Sequence, residues 1–230
     1  MARLPRLAVA GLPHLLLLSG LDRQPIALDD DDRRHCLATL REASLQQGVA
    51  VHAYALLGDR LRLLATPRDA GALGRLVQDF GRRYVGSFNR RHGRRGTLWD
   101  GRYRATVVQS GATALQAMLF VDTEPVRAGL VLAACDHAWS SAGHHVGRQP
   151  DPLVSSLVDY WQLGNTPFER ESAYARRLDD GLSLRDADRL SEACHKGWAI
   201  GDAPFIAALS AQIERPLLPR RRGRPTKAAG

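Results

Sequence analysis
The sequence predicts an α+β protein: an antiparallel sheet with helices on one face, then a small all-α region and a basic tail. Two observations carry this expectation. Up to Thr123 the apolar residues switch between a period of two and one near 3.6, in the order strand, helix, two strands, helix, strand, helix. Past Pro150-Asp151-Pro152 the strand signals stop and capped helices take over.

Taken in order, Leu7 to Leu18 suits a buried strand, and Ser19 to Pro25 an exit loop. Asp29 to Asp32 opens a helix, because an acidic first turn favours the positive end of the helix dipole. Cys36, Leu37, Leu40 and Ala43 follow at helical spacing until Gly48 ends the run. Val49, Val51, Ala53 and Ala55 alternate, as do Leu61, Leu63 and Ala65, with Gly58-Asp59 between them as the turn of a hairpin. Ala70 to Asn89 reads as a helix with Leu73, Leu76, Val77, Phe80 and Tyr84 on one face, Arg102 to Val108 as a strand, and Ala112 to Thr123 as a third helix.

These elements make residues 1–148 one domain. Residues 152–214 form a second, helical one, with starts at Thr166-Pro167-Phe168-Glu169, a capping box with proline at the first helical position, at Ser183 and at Asp202. The tight connection from Lys196 to Asp202 is compatible with a helix-turn-helix that binds DNA, although most such helix pairs are packed hairpins. Residues 215–230 are a basic tail in which Arg221 precedes Arg222-Gly223-Arg224-Pro225, a core that resembles an AT-hook and suits the minor groove of A·T-rich duplex.

Composition narrows the partner. The chain of 230 residues carries a net charge of +8, which points to a polyanion. Leu15 to Leu18 is too short to span a bilayer and no secretory signal is legible, so the expected partner is nucleic acid and the expected place the cytoplasm, on the nucleoid. Cys36, Cys135 and Cys194 show no CxxC spacing and read as small apolar residues. His144-His145 with His137 and Cys135 is a weak metal motif, because adjacent histidines point apart; His14 and His52 are expected to satisfy hydrogen bonds beside the sheet.

Four segments in order, Pro25 to Arg33, His52 to Leu64, Phe88 to Val107 and Pro125 to Val131, resemble the REP-associated tyrosine transposases and the wider HUH single-tyrosine transposase family of small insertion sequences. The resemblance implies a ferredoxin-like α+β domain, the HUH transposase-like fold, over roughly residues 5 to 145, in agreement with the element order above. In active members it also implies a His-x-His that holds a divalent metal on the scissile phosphate and a helical tyrosine that attacks it. At the corresponding positions this chain has Arg60-Leu61-Arg62 and Phe120. A guanidinium offers no lone pair to a metal, and phenylalanine keeps the ring without the nucleophile. Glu124, one turn after Phe120, makes a poor divalent site alone, so no metal or other cofactor is expected.

The reading is thus a catalytically silent DNA-binding protein that recognises hairpin or single-stranded DNA. Arg60 and Arg62, at i and i+2 of one strand, either take a DNA phosphate in the metal's place or remain as surface arginines of a lost site. Arg90, Arg91, Arg94, Arg95, Arg102 and Arg104 are candidate phosphate contacts, and Trp99, in a loop between Gly96 and Gly101, is the stacking candidate. Competing readings are an active DNA-cleaving transposase using a displaced Tyr54 or Tyr103, and a basic RNA-binding scaffold. A homodimer through the sheet is left open.

Overall fold
The structure is a computed structural model that describes residues 7–219. Strands β1 (His14–Ser19), β2 (Val49–Leu56), β3 (Arg60–Pro67) and β4 (Arg104–Val107) form an antiparallel sheet in the order β2-β3-β1-β4. With α1 (Asp30–Gln47) between β1 and β2 and α2 (Ala72–Arg91) between β3 and β4, this is the ferredoxin-like arrangement expected. Then come α3 (Ala112–Asp122), α4 (Glu124–Arg127), α5 (Ala142–His145), α6 (Val158–Trp161), α7 (Pro167–Asp180), α8 (Leu184–Lys196) and α9 (Ala203–Ser210).

Local chemistry sets the boundaries. Asp29 accepts from the Asp32 amide at 2.9 Å, and α1 stops where Gly48 takes φ 64°, a left-handed turn that glycine enters without steric cost. Thr166 and Glu169 close the predicted capping box, and Ser183 and Asp202 cap α8 and α9 as expected. Strand β1 starts later than the apolar run suggested. Gly11 turns at φ 72° and Pro13 has no amide to donate, so Leu7 packs instead with Ile206 and Leu209.

Helices cover both faces of the sheet, a correction to the one-faced arrangement expected. Leu16 and Leu18 of β1 and Leu61 and Leu63 of β3 meet α1 and α2, while Leu15, Leu17 and Leu64 meet α3, α7 and α8. A bulge in β2 between Val51 and Ala53 flips the strand's register. Val49 and Val51 therefore face α1 and α2, whereas Ala53 and Ala55 face α3, and the four do not share a side as simple alternation implied. The region from residue 152 onward supplies Leu157, Tyr174, Leu190 and Cys194 to the same core as Leu15 and Leu17. Helix α8 spends Ala187, Leu190, Ala193 and Cys194 on that contact.

Both margins of the sheet are paired within the chain. Along β2, the Leu56 amide donates to Trp139 at 2.9 Å, Ser141 to Tyr54 at 3.0 Å and Ser155 to Val51 at 2.7 Å. Along β4, the Ile200 amide donates to Val107 at 2.9 Å, and Ala199 in turn donates to Leu217 at 2.9 Å. Arg221, Arg222 and Arg224 of the tail lie outside the described residues.

Candidate nucleic-acid interface
The alternation of β3 places Leu61, Leu63 and Ala65 against α1 and α2, which leaves Arg60 and Arg62 on the opposite face, toward α3 and α4. There a single carboxylate, Glu124, receives three guanidiniums. Arg60 Nε donates to Oε1 at 2.8 Å, and Arg127 Nη2 donates to Oε2 at 2.6 Å. Arg62 Nη2 donates to Oε1 at 3.3 Å, while its Nε lies 3.0 Å from Oε2 as an ion pair without hydrogen-bond geometry. Arg60 also pairs with Asp59 at 3.0 Å.

Burial makes this cluster costly to leave unbalanced. The side chains of Arg62 and Glu124 are 5% and 6% exposed, and that of Arg60 is 29% exposed. Burial pushes the Glu124 carboxyl up, but Arg62, Arg127 and Arg60 outweigh it and hold it below the usual carboxylate range. For Arg127 burial prevails, and its guanidinium falls below its ordinary value. Arg62 Nη1 is buried and finds no hydrogen-bond partner.

Phe120 forms the floor beside them, with the guanidinium carbons of Arg62 and Arg127 4.7 and 4.0 Å from its ring centroid. Arg127 is held further by the Phe120 carbonyl and the Thr123 hydroxyl. The three positions singled out in the sequence, Arg60, Arg62 and Phe120, thus meet at one place, and Glu124 joins them.

The cluster lies at the base of an open cleft of about 720 Å³, whose walls include Ser19, Gly20, Arg23, Asp100, Asp188 and His195. Its lip is held in unusual backbone. Asp22 and Arg23 take φ 52° and 59° in succession, a left-handed conformation that L side chains adopt at a cost. Gly20 is required just before them, since a Cβ there would fall 2.1 Å from the Gln24 carbonyl oxygen. The loop carrying the basic stretch abuts this lip: the Leu21 amide donates to Leu98 at 2.9 Å and the Asp100 amide to Ser19 at 2.8 Å.

The candidate phosphate contacts divide. Arg90, Arg95 and Arg102 are exposed and carry no ion pair or hydrogen bond among the described residues. Arg91 is spent on α1, reaching Asp29 at 2.8 Å and Asp32 at 2.5 Å, and Arg104 donates to the His195 carbonyl at 3.2 Å. Arg94 lies 5.5 Å over the Phe88 ring. Trp99 is not held out in a loop: its indole lies 5.9 Å from Phe80 and 6.4 Å from Tyr84, in contact with the α2 core. Sequence reasoning missed Arg127, whose signal was its place three residues after Glu124 on a helical turn.

His145, from the weak metal motif, is buried against Asp122 at 2.7 Å, with its other ring nitrogen 3.0 Å from the His52 carbonyl. No cluster of three or more metal-ligating side chains occurs among the described residues. No helix among them is long and apolar enough to cross a membrane.

No family model matches the chain, and no curated protein does. Among solved structures, a REP-associated tyrosine transposase bound to a REP hairpin shares the fold. The TM-score is 0.51 at 15% identity, over 68% of this chain and 92% of that one. A candidate transposase from Deinococcus radiodurans aligns more loosely, with a TM-score of 0.37 at 21% identity, over 56% of this chain and 92% of that one.

Proposed function
We propose that this chain is a transposase-like protein that holds hairpin or single-stranded DNA without cutting it. The observation that carries the reading is the arginine–glutamate cluster beside Phe120. The positions that the family resemblance assigns to metal ligands and nucleophile are filled by Arg60, Arg62 and a ring without a hydroxyl, engaged by Glu124 and Arg127. Three guanidiniums repel a divalent cation, so the cleft suits a DNA oxygen better than a metal.

The fold shared with a transposase bound to a hairpin supports DNA as the partner. Exposed Arg90, Arg95 and Arg102 supply phosphate contacts, and the tail with Arg221, Arg222 and Arg224 adds minor-groove affinity for A·T-rich duplex. Tyr54 is a poor substitute nucleophile: it is 3% exposed, donates to Asp151 at 2.6 Å, and has its phenol pushed far above the ordinary value by burial and by Asp151.

The test is incubation of the full chain with labelled hairpin, single-stranded and duplex DNA and with RNA, in manganese, followed on native and denaturing gels. A shifted native band with DNA preferred, no cleavage and no denaturant-resistant adduct is expected. A covalent adduct would establish an active enzyme, and equal affinity for RNA a scaffold.

A further inference from the structure
The charges of the cluster do not cancel. Arg60, Arg62 and Arg127 bring three positive charges and Glu124 and Asp59 two negative ones, which leaves one positive charge in excess at a mostly buried site. Arg62 Nη1 adds a buried donor with no acceptor, a condition that costs free energy and that an incoming oxygen would relieve. Both features lie on the wall of the same open cleft, whose lip is backbone held in a strained conformation.

We infer that Glu124 is a built-in stand-in for a nucleic-acid phosphate: its carboxylate occupies the anion position between Arg60, Arg62 and Arg127, and a phosphodiester of the bound strand displaces it. The inference rests on the DNA-binding reading above. A phosphodiester presents two unesterified oxygens, as a carboxylate does, and accepts from the same guanidinium forks. Outside the cluster the walls carry Asp22, Asp100 and Asp188 against the single cation Arg23, a net negative charge, so the cleft admits one phosphate of a flexible strand and disfavours the dense charge of a duplex face. Resting occupancy by Glu124 keeps the arginines folded in place and sets a threshold that a weak or solitary anion does not cross.

The experiment compares the full-length wild type with Glu124→Gln, which keeps the shape and removes the competing charge. Binding of a labelled single strand is measured by anisotropy across a salt series. Expected is an affinity roughly tenfold higher for the variant at equal salt, as one fixed anion ceases to compete for the guanidiniums. An affinity equal to or below wild type overturns the stand-in role, even while wild-type hairpin binding stands; absence of binding in the wild type instead overturns the DNA-binding reading.

If Glu124→Gln does not fold, Arg60→Met decides, because Arg60 is partly exposed and its loss leaves the core intact. It should weaken the single strand about tenfold and lower the salt slope by roughly 0.7, the value for one lost single-strand phosphate contact. Unchanged affinity and slope would sink the proposal. Inorganic phosphate offers similar oxygens, and tighter binding of free phosphate than of the strand would overturn the assignment to a strand.

Discussion
Single side chains in this protein are governed by what surrounds them more than by what they are. His14, buried at the start of β1, shows it clearly. The Val9 amide donates to its Nε2 at 3.1 Å, so Nδ1 carries the proton and donates to the Leu12 carbonyl at 2.8 Å. Burial lowers its pKa from 6.5 to about 4, with the Leu12 hydrogen bond opposing. A proton therefore binds the unfolded chain first, and stability present above pH 6.5 is lost as the pH falls toward 4, by about 3 kcal/mol for this group. Urea titrations of wild type and His14→Gln should show their stability difference shrinking by that order between pH 7 and pH 4; parallel curves would refute it. The sequence made His14 and His52 legible as hydrogen-bonded histidines beside the sheet, and it placed Arg60, Arg62 and Phe120 at one site. It did not make Arg91 or Trp99 legible, because whether an arginine meets phosphate or a carboxylate 60 residues away, or an indole meets a base or Tyr84, is decided by tertiary proximity.

At the scale of elements, α3 is the joint of the molecule. Its last residue, Asp122, is fully buried and receives Ser141 Oγ at 2.5 Å, His145 Nδ1 at 2.7 Å and Tyr174 OH at 2.7 Å, which ties α5 and α7 to the sheet. Asp122→Ala leaves three buried polar groups without their acceptor and should cost about 3 kcal/mol or more. A urea midpoint displaced by less than a third of that would mean the network contributes little. Capped elements were legible in the sequence because a cap is a contact within four residues, as at Thr166, Ser183 and Asp202. The β2 bulge was not, since its extra residue is absorbed where His52 reaches Ser155 and Thr66, a contact no local pattern carries.

On the scale of the whole molecule, the sheet needs covering on both sides, and the second side is covered partly by α3 and partly by α7 and α8 from the last third of the described chain. A chain ending at residue 148 would lose α8, which packs on β1 and β4, and would expose Leu15 and Leu17, apolar side chains that the full molecule buries completely or nearly so. Such a fragment should show no cooperative thermal transition by circular dichroism; a sharp, native-like melt would instead establish the first 148 residues as an independent domain. The order of strands and helices along the chain was readable from periodicity, while the second layer was not, because α7 and α8 carry amphipathic patterns that fit an independent bundle as well as a sheet face.

The pairing of Trp139, Ser141 and Ser155 along β2 and of Ile200 along β4 bears on how many copies can gather in one place. An open margin is a template onto which another chain can add a strand, and a protein that accumulates on a polymer raises its own local concentration. With Val51, Tyr54 and Leu56 of one margin and Val107 of the other already paired, a dimer built by continuing the sheet has fewer free backbone groups to start from. On the DNA partner proposed above, crowded copies are then expected to remain discrete particles, spaced by the nucleic acid and not fused into a growing β-assembly.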